Sequence, residues 1–243
     1  MQETAKQLNI SSSQNNEHGN SLVHRCNLAH PCGWFCCVGK NYRKEKRRLM
    51  IMAVKEVLRM GNPQLRQVSN VVDDVSDELI ISLIKDLHDT VKAHQGAGLA
   101  APQIGVPLRV VLFGGGGPNP RYPEAPSIPQ TLLINPVLTP IGSDLEDGWE
   151  GCLSVPGLRG KVSRWSRIHY RALDENGIDI EHWLEGFPAR VIQHECDHLD
   201  GVLFPDRLVD SASFGFTGEL EAAGIIAKLA RAEQKASQQS RSD

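Results

Sequence analysis

The stretch Pro188–Gly201, PARVIQHECDHLDG, decides how the rest of the chain is read. Pro188 suits a first helical turn, Ala189, Val191, Ile192 and Leu199 supply apolar contacts, and Gly201 can end the pattern, so one helix is expected. Within it His194, Glu195 and His198 form an HExxH element. Residues four apart share a helix face, so both imidazoles reach one metal ion and the Glu195 carboxylate stands beside the water that such an ion activates. The spacing also arises by chance in solvent-facing polar helices, so the chain reads as a metallohydrolase only if further residues complete a site. His169 and His182 lie in strand-like segments without partners at ligand spacing and are read as structural or exposed.

A catalytic ion needs a third protein ligand and an open position. In the pattern HExxHxxGxxH the last histidine falls at position 204, which is Phe204, so that route is closed although Gly201 matches. A carboxylate from a following helix, Glu219 or Glu221, is a second source. The third is Cys152, in Trp149-Glu150-Gly151-Cys152-Leu153-Ser154-Val155-Pro156, where glycine and proline bound a short run able to hold a thiolate. Taken alone, Cys152 reads first as a small buried hydrophobe. Cys196 lies two residues from each histidine, points to another helix face and is discarded as a ligand.

Upstream, Gly96-Ala97-Gly98-Leu99-Ala100-Ala101-Pro102-Gln103 combines small residues, which allow close backbone approach, with the uncharged side-chain amide of Gln103. Such a donor suits an oxyanion, although, taken alone, the segment is better read as a glycine-rich turn leading into the strand Leu108 to Phe113.

Together, GAGLAAPQ, EGCLS and QHECDH, in this order, resemble the three signature motifs of the peptide deformylase family. The resemblance runs from about Met52 to Val209 and includes an opening VKEVLRMGNPQLRQVS. It implies that Cys152, His194 and His198 bind the metal, that Glu195 is the general acid and base, and that Gln103 and the Leu153 backbone amide stabilise the oxyanion. Gly96, Gly98 and Glu150 match as well, with Arg159 the expected partner of Glu150, and Gln193 completes the third motif. The implied reaction removes the N-formyl group from the N-terminal methionine of nascent peptides and releases formate. The implied methionine pocket has Phe187, Val191 and the backbone near Gly98 in its wall, and strand addition along Gly96 to Gly98 is expected to hold the following residues. The implied ion is Fe2+ in the cell, with Zn2+, Ni2+ or Co2+ as substitutes. The implied architecture is α+β, with small antiparallel sheets around the metal-bearing helix.

Composition agrees with one catalytic domain, since 243 residues with 40% hydrophobic content are enough to bury a core. No apolar run approaches the ~20 residues of a membrane-spanning helix, so no membrane span is expected, and the start lacks the order of a secretory signal. Residues 1–49 differ in kind. They hold eight Lys and Arg against three acidic residues, a net of +5, whereas the remainder holds 18 against 26, a net of −8. The first 24 are polar and expected to be disordered. Cys26, Cys32, Cys36 and Cys37, interleaved with His24 and His30, precede RKEKRR. Their spacing fits no standard zinc finger, and a catalytic thiolate suits a reducing compartment better than disulfides. We expect an extension at 1–49 dispensable for catalysis, with a misassigned start codon as its expected source, a catalytic domain at 50–210, and a C-terminal helix and polar tail at 211–243. The expected location is a bacterial cytoplasm, with an organelle as the alternative. The expected partners are formylmethionyl peptides and the ribosome near its exit tunnel, with no DNA.

Within the catalytic part a helix is expected over Asp77 to Ala93, capped by Ser76, with Leu79, Ile80, Leu83, Ile84, Leu87 and Val91 apolar. Strands are expected at Leu108 to Phe113, Thr131 to Pro136, Arg167 to Leu173 and Ile178 to Leu184, the last two joined at Glu175-Asn176-Gly177. Gly114 to Pro129 reads as a surface loop near the cleft and Gly218 to Lys235 as a helix. Two rivals remain. A zinc endopeptidase would take its third ligand from Glu219 or Glu221, and a non-catalytic metal-binding protein would not need Glu195.

Overall fold

The computed structural model describes residues 54–115 and 126–226. The expectations for residues 1–49, for most of the glycine- and proline-rich loop, and for the tail beyond residue 226 lie outside the described residues.

Helix α1, Glu78–His94, begins where the Asp77 side chain accepts a hydrogen bond from the Leu79 amide at 2.8 Å, so Asp77 is the cap rather than Ser76. Ser76 instead donates its amide and hydroxyl to Asp74. The helix stops at Gln95, which adopts a left-handed conformation at φ 50°. Ile80, Leu83, Leu87 and Val91 are buried, one face at spacings of three and four. Leu79, expected on that face, is 76% exposed; at about 100° per residue it falls at the margin of the stripe formed by Ile80, Leu83, Leu87 and Val91.

That sheet has five antiparallel strands: β1 (Gly98–Ala100), β2 (Val110–Phe113), β3 (Thr131–Pro140), β6 (Arg167–Leu173) and β7 (Asp179–Glu185), in spatial order β1-β2-β3-β6-β7. Alternate residues of β2 point to opposite faces. Val110 and Leu112 join the α1 cluster, while Val111 and Phe113 join a second cluster formed with helix α2, Gly186–Leu199. Covering both faces requires a continuous apolar strand, which is why Val-Val-Leu-Phe is buried throughout. The β6–β7 turn follows the expected chemistry: Asp174 Oδ1 accepts from the amides of Asn176 and Ile178, and Gly177 takes φ 76°.

A second, three-stranded sheet, β4 (Leu145–Cys152), β5 (Val155–Trp165) and β8 (Phe214–Phe216), stands on the other side of α2; its strands are not among those expected from the sequence. Its first two strands form a hairpin whose register shifts between Glu150 and Cys152. Arg66 reaches across to Asp206 and to the Gly201 carbonyl, fastening the N-terminal segment beyond the end of α2. Of the helix expected at Gly218 to Lys235, the described residues hold α3, Thr217–Ala222, after which Gly224 takes φ 70° and the Ile225 amide bonds the Leu220 carbonyl; residues 227–235 lie outside the described residues. No helix among the described residues is long and apolar enough to cross a membrane. The α+β architecture with antiparallel sheets around the HExxH helix is as expected.

Candidate metal centre and active site

Helix α2 is apolar toward the five-stranded sheet, yet it also buries Arg190, Gln193, His194, Glu195, Asp197 and His198. Buried polar groups cost several kcal/mol unless partnered, so so many in four turns must be held by specific contacts. Gln193 meets this locally, donating to the Trp165 and Ala189 carbonyls and accepting from the Trp165 amide, which seats the end of β5 on the helix.

His194 and His198 lie one turn apart, as the spacing requires, with ring centroids 5.2 Å apart. The β4–β5 hairpin brings Cys152 to them from outside the helix. Its Sγ is 3.3 Å from His198 Nε2, and one ligand atom from each of Cys152, His194 and His198 lies within 4.8 Å of the others. His194 Nδ1 is committed to Glu150 Oε2 at 2.8 Å, leaving Nε2 as the ring atom free to ligate. Burial alone would raise the Cys152 thiol, but the facing His198 and His194 rings hold it well below its ordinary value. Burial alone would lower His194, but Cys152 and Glu150 hold it well above its ordinary value. A poised thiolate, two imidazoles and a carboxylate behind one ring form a donor set suited to a divalent cation with an open position.

Glu195 is buried, with Oε2 lacking a hydrogen-bond partner among the described residues, and burial pushes its carboxyl up to about 7. It lies over β1 so closely that a Cβ at Gly98 would fall 2.5 Å from Oε1, the physical reason for glycine there. Gln103, in the short turn Ala101–Ile104, accepts from the Ala100 amide with Oε1 at 2.8 Å. That bond turns Nε2 toward the site, 3.4 Å from Cys152 Sγ and 3.1 Å from Ser154 Oγ. Gly96, Gly98, Leu153, Phe187 and Val191 line one cleft with Cys152, His194 and Glu195. Gln103 and Glu150 line the same cleft, and His198 joins Cys152 and His194 in the donor group, so these residues named from sequence meet in one place. Cys196 faces the opposite side of the helix among apolar residues, where burial pushes its thiol up. Glu219 and Glu221 fall in α3, outside the donor group.

Sequence reasoning missed the charged support. Glu150 accepts from Arg164 Nε and Nη2, each at 2.9 Å, and from Arg190 Nη1 at 3.1 Å. Burial alone would raise its carboxyl, but His194 and Arg164 hold it well below the usual carboxylate range. Asp197, between the two histidines, accepts from Arg164 and Arg207. Arg159, expected at Glu150, has its side chain beside Gly151, where a Cβ would fall 2.9 Å from Arg159 Cδ. Partners 14 residues away on β5 and 40 residues away on α2 leave no local pattern to read.

A buried HExxH helix completed by a thiolate from a β-hairpin defines a metallohydrolase. Comparison with known proteins narrows the class. The Polypeptide deformylase family model matches residues 54–213. Peptide deformylase 1 of Prochlorococcus marinus is 92% identical over 192 residues, which span 79% of this chain and 100% of that protein. Peptide deformylase 2 of Ralstonia nicotianae is 52% identical over 164 residues, 68% of this chain and 92% of that one. Among solved structures, a class I type b peptide deformylase from Acinetobacter baumannii with Met-Ala-Ser bound is 36% identical with a TM-score of 0.61, covering 64% of this chain and 98% of that chain. The chain belongs to the peptide deformylase family, metal-dependent hydrolases that remove the N-formyl group from nascent proteins.

Proposed function

We propose that Cys152, His194 and His198 hold the ion, ferrous iron in the cell with zinc, nickel or cobalt as substitutes, and that Glu195, Gln103 and the Leu153 amide carry out the remaining chemistry. A bound ion supplies positive charge that polarises the formyl carbonyl and eases ionisation of water. Glu195 takes the proton of the attacking water at its unpartnered oxygen and returns it to the departing nitrogen. A carboxyl raised to about 7 by burial is suited to both transfers near neutrality. Gln103 Nε2, oriented by the Ala100 amide, and the Leu153 amide donate to the carbonyl oxygen as it gains charge. Phe187 and Val191 enclose the methionine side chain, and the open edge of β1 accepts the peptide backbone as an added strand.

The observation that carries this reading is the convergence of one sulfur and two ring nitrogens within 4.8 Å, beside a buried carboxylate. Formate release from a formyl-Met-Ala-Ser peptide tests it; cleavage of an internal peptide bond without formate would contradict it. For iron, the expected outcome is activity lost in air together with iron and thiol oxidation, whereas full retention for days without reductant contradicts iron.

We further infer that residues 1–49 are dispensable for catalysis. Support comes from the Prochlorococcus relative, matched along its whole length by 192 residues. A bacterial cytoplasm is supported by the bacterial origin of the relatives named above. Ribosome docking is assigned to residues 218–243, and normal co-sedimentation after their removal would contradict it.

A further inference from the structure

Arg190 lies four residues before His194 and eight before His198, one row of side chains along α2. It is buried, and its guanidinium carries five N–H donors to satisfy within the protein. Nη1 bonds Glu150 Oε1 at 3.1 Å and the Val162 carbonyl at 2.8 Å, and Nη2 bonds the Glu146 carbonyl at 2.5 Å. Glu146 and Glu150 are on β4 and Val162 on β5, so this one side chain grips both strands of the hairpin that presents Cys152.

A second observation comes from the hairpin itself. Gly148, paired with Val162, lies directly under the guanidinium, and a Cβ there would fall 2.6 Å from Arg190 Cζ. Gly148 is not among the glycines with positive φ, so the backbone does not require it; the space does. Arg164 also binds Glu150, but from β5 within the hairpin, reaching the helix through Asp197 near its far end. Arg190 is the clamp at the near end, on the carboxylate whose other oxygen accepts from His194 Nδ1.

We propose that Arg190, seated over Gly148, is a positioning residue that fixes the Glu150 carboxylate behind His194 and holds the Cys152 hairpin at ligand distance from the helix. The proposal rests on the assignment of Cys152, His194 and His198 as ligands. Without the guanidinium, Glu150 keeps Arg164, but its oxygen toward His194 is freer to rotate and the hairpin is tied at one end only.

The test uses the full chain loaded with Co2+, whose visible absorption reports ligand geometry. Arg190→Met removes the donors and keeps the stem; Gly148→Ala displaces the guanidinium without altering it; Arg190→Lys keeps the charge but bonds fewer partners at once. Arg190→Met and Gly148→Ala are each expected to shift the cobalt spectrum, to release cobalt to a chelator about tenfold faster, and to lower kcat more than they raise KM, with Arg190→Lys intermediate in release rate. If Arg190→Met does not fold, Gly148→Ala and Arg190→Lys decide the matter by the same readouts. Unchanged spectra and release rates, with only a lower melting temperature, would reduce Arg190 to a structural brace and overturn the proposal. A parent protein that takes up no cobalt would instead overturn the ligand assignment beneath it.

Discussion

Glu195 occupies an environment that ordinarily excludes carboxylates: buried in a helix, over a glycine, with one oxygen unpartnered. Glu195→Gln keeps shape and loses proton transfer, so metal content by atomic absorption is expected to hold while kcat falls by a factor on the order of 10² to 10⁴. Gly98→Ala tests the same carboxylate from the other side. A Cβ 2.5 Å from Oε1 forces Glu195 to rotate away, and the expected outcome is a folded, metal-loaded protein with kcat reduced about a hundredfold. An active Gly98→Ala enzyme would show that Glu195 has freedom this packing denies. These residues were legible in sequence because HExxH and the glycine pair are local patterns. Arg164, Arg190 and Asp197 were not, because a buried arginine far along the chain looks like any surface arginine until the hairpin folds over it.

The elements divide in the same way. Helix α1, β2, the β6–β7 hairpin and α2 have apolar periodicity or turn chemistry that physics reads directly. The β4–β5 hairpin has neither: Leu145-Glu-Asp-Gly-Trp-Glu-Gly-Cys152 alternates weakly, because its inner positions are taken by the charged residues that support the site. Leu79 misled because periodicity marks a face but not how far its margin stays covered. One contact beyond α2 has a pH signature. Asp206 accepts from Arg66 and from the Leu203 amide, and the hydrogen bond with Arg66, above all, holds its carboxyl below the usual range. A carboxyl lowered on folding contributes stability above its unfolded pKa of about 4 and loses it as pH falls through the folded value. Asp206→Asn is therefore expected to lower the melting temperature at pH 7 and to make little difference near pH 3, with a small effect because the pair is well exposed. An equal loss at both pH values would assign the contact to packing instead.

At the scale of the whole molecule, the five-stranded sheet is a plate with α1 on one face and α2 on the other, and the small sheet closes over the exposed side of α2. Only that closure brings Cys152 to the histidines, so the site depends on two sheets gripping one helix. Leu87, on α1 and fully buried against the plate, is not among the residues lining the cleft, and Leu87→Ala is expected to cost about 2–5 kcal/mol in chemical denaturation while leaving KM for the peptide unchanged. Removal of residues 1–49 is expected to leave kcat/KM intact; a soluble truncated protein with collapsed turnover would give those residues a catalytic part. The central claim is that the sulfur at position 152 completes the centre begun by HExxH. Metal content and formate release measured together on Cys152→Ala test it most directly: loss of both in a folded protein is the predicted result, and a fully metalated, active variant would contradict it.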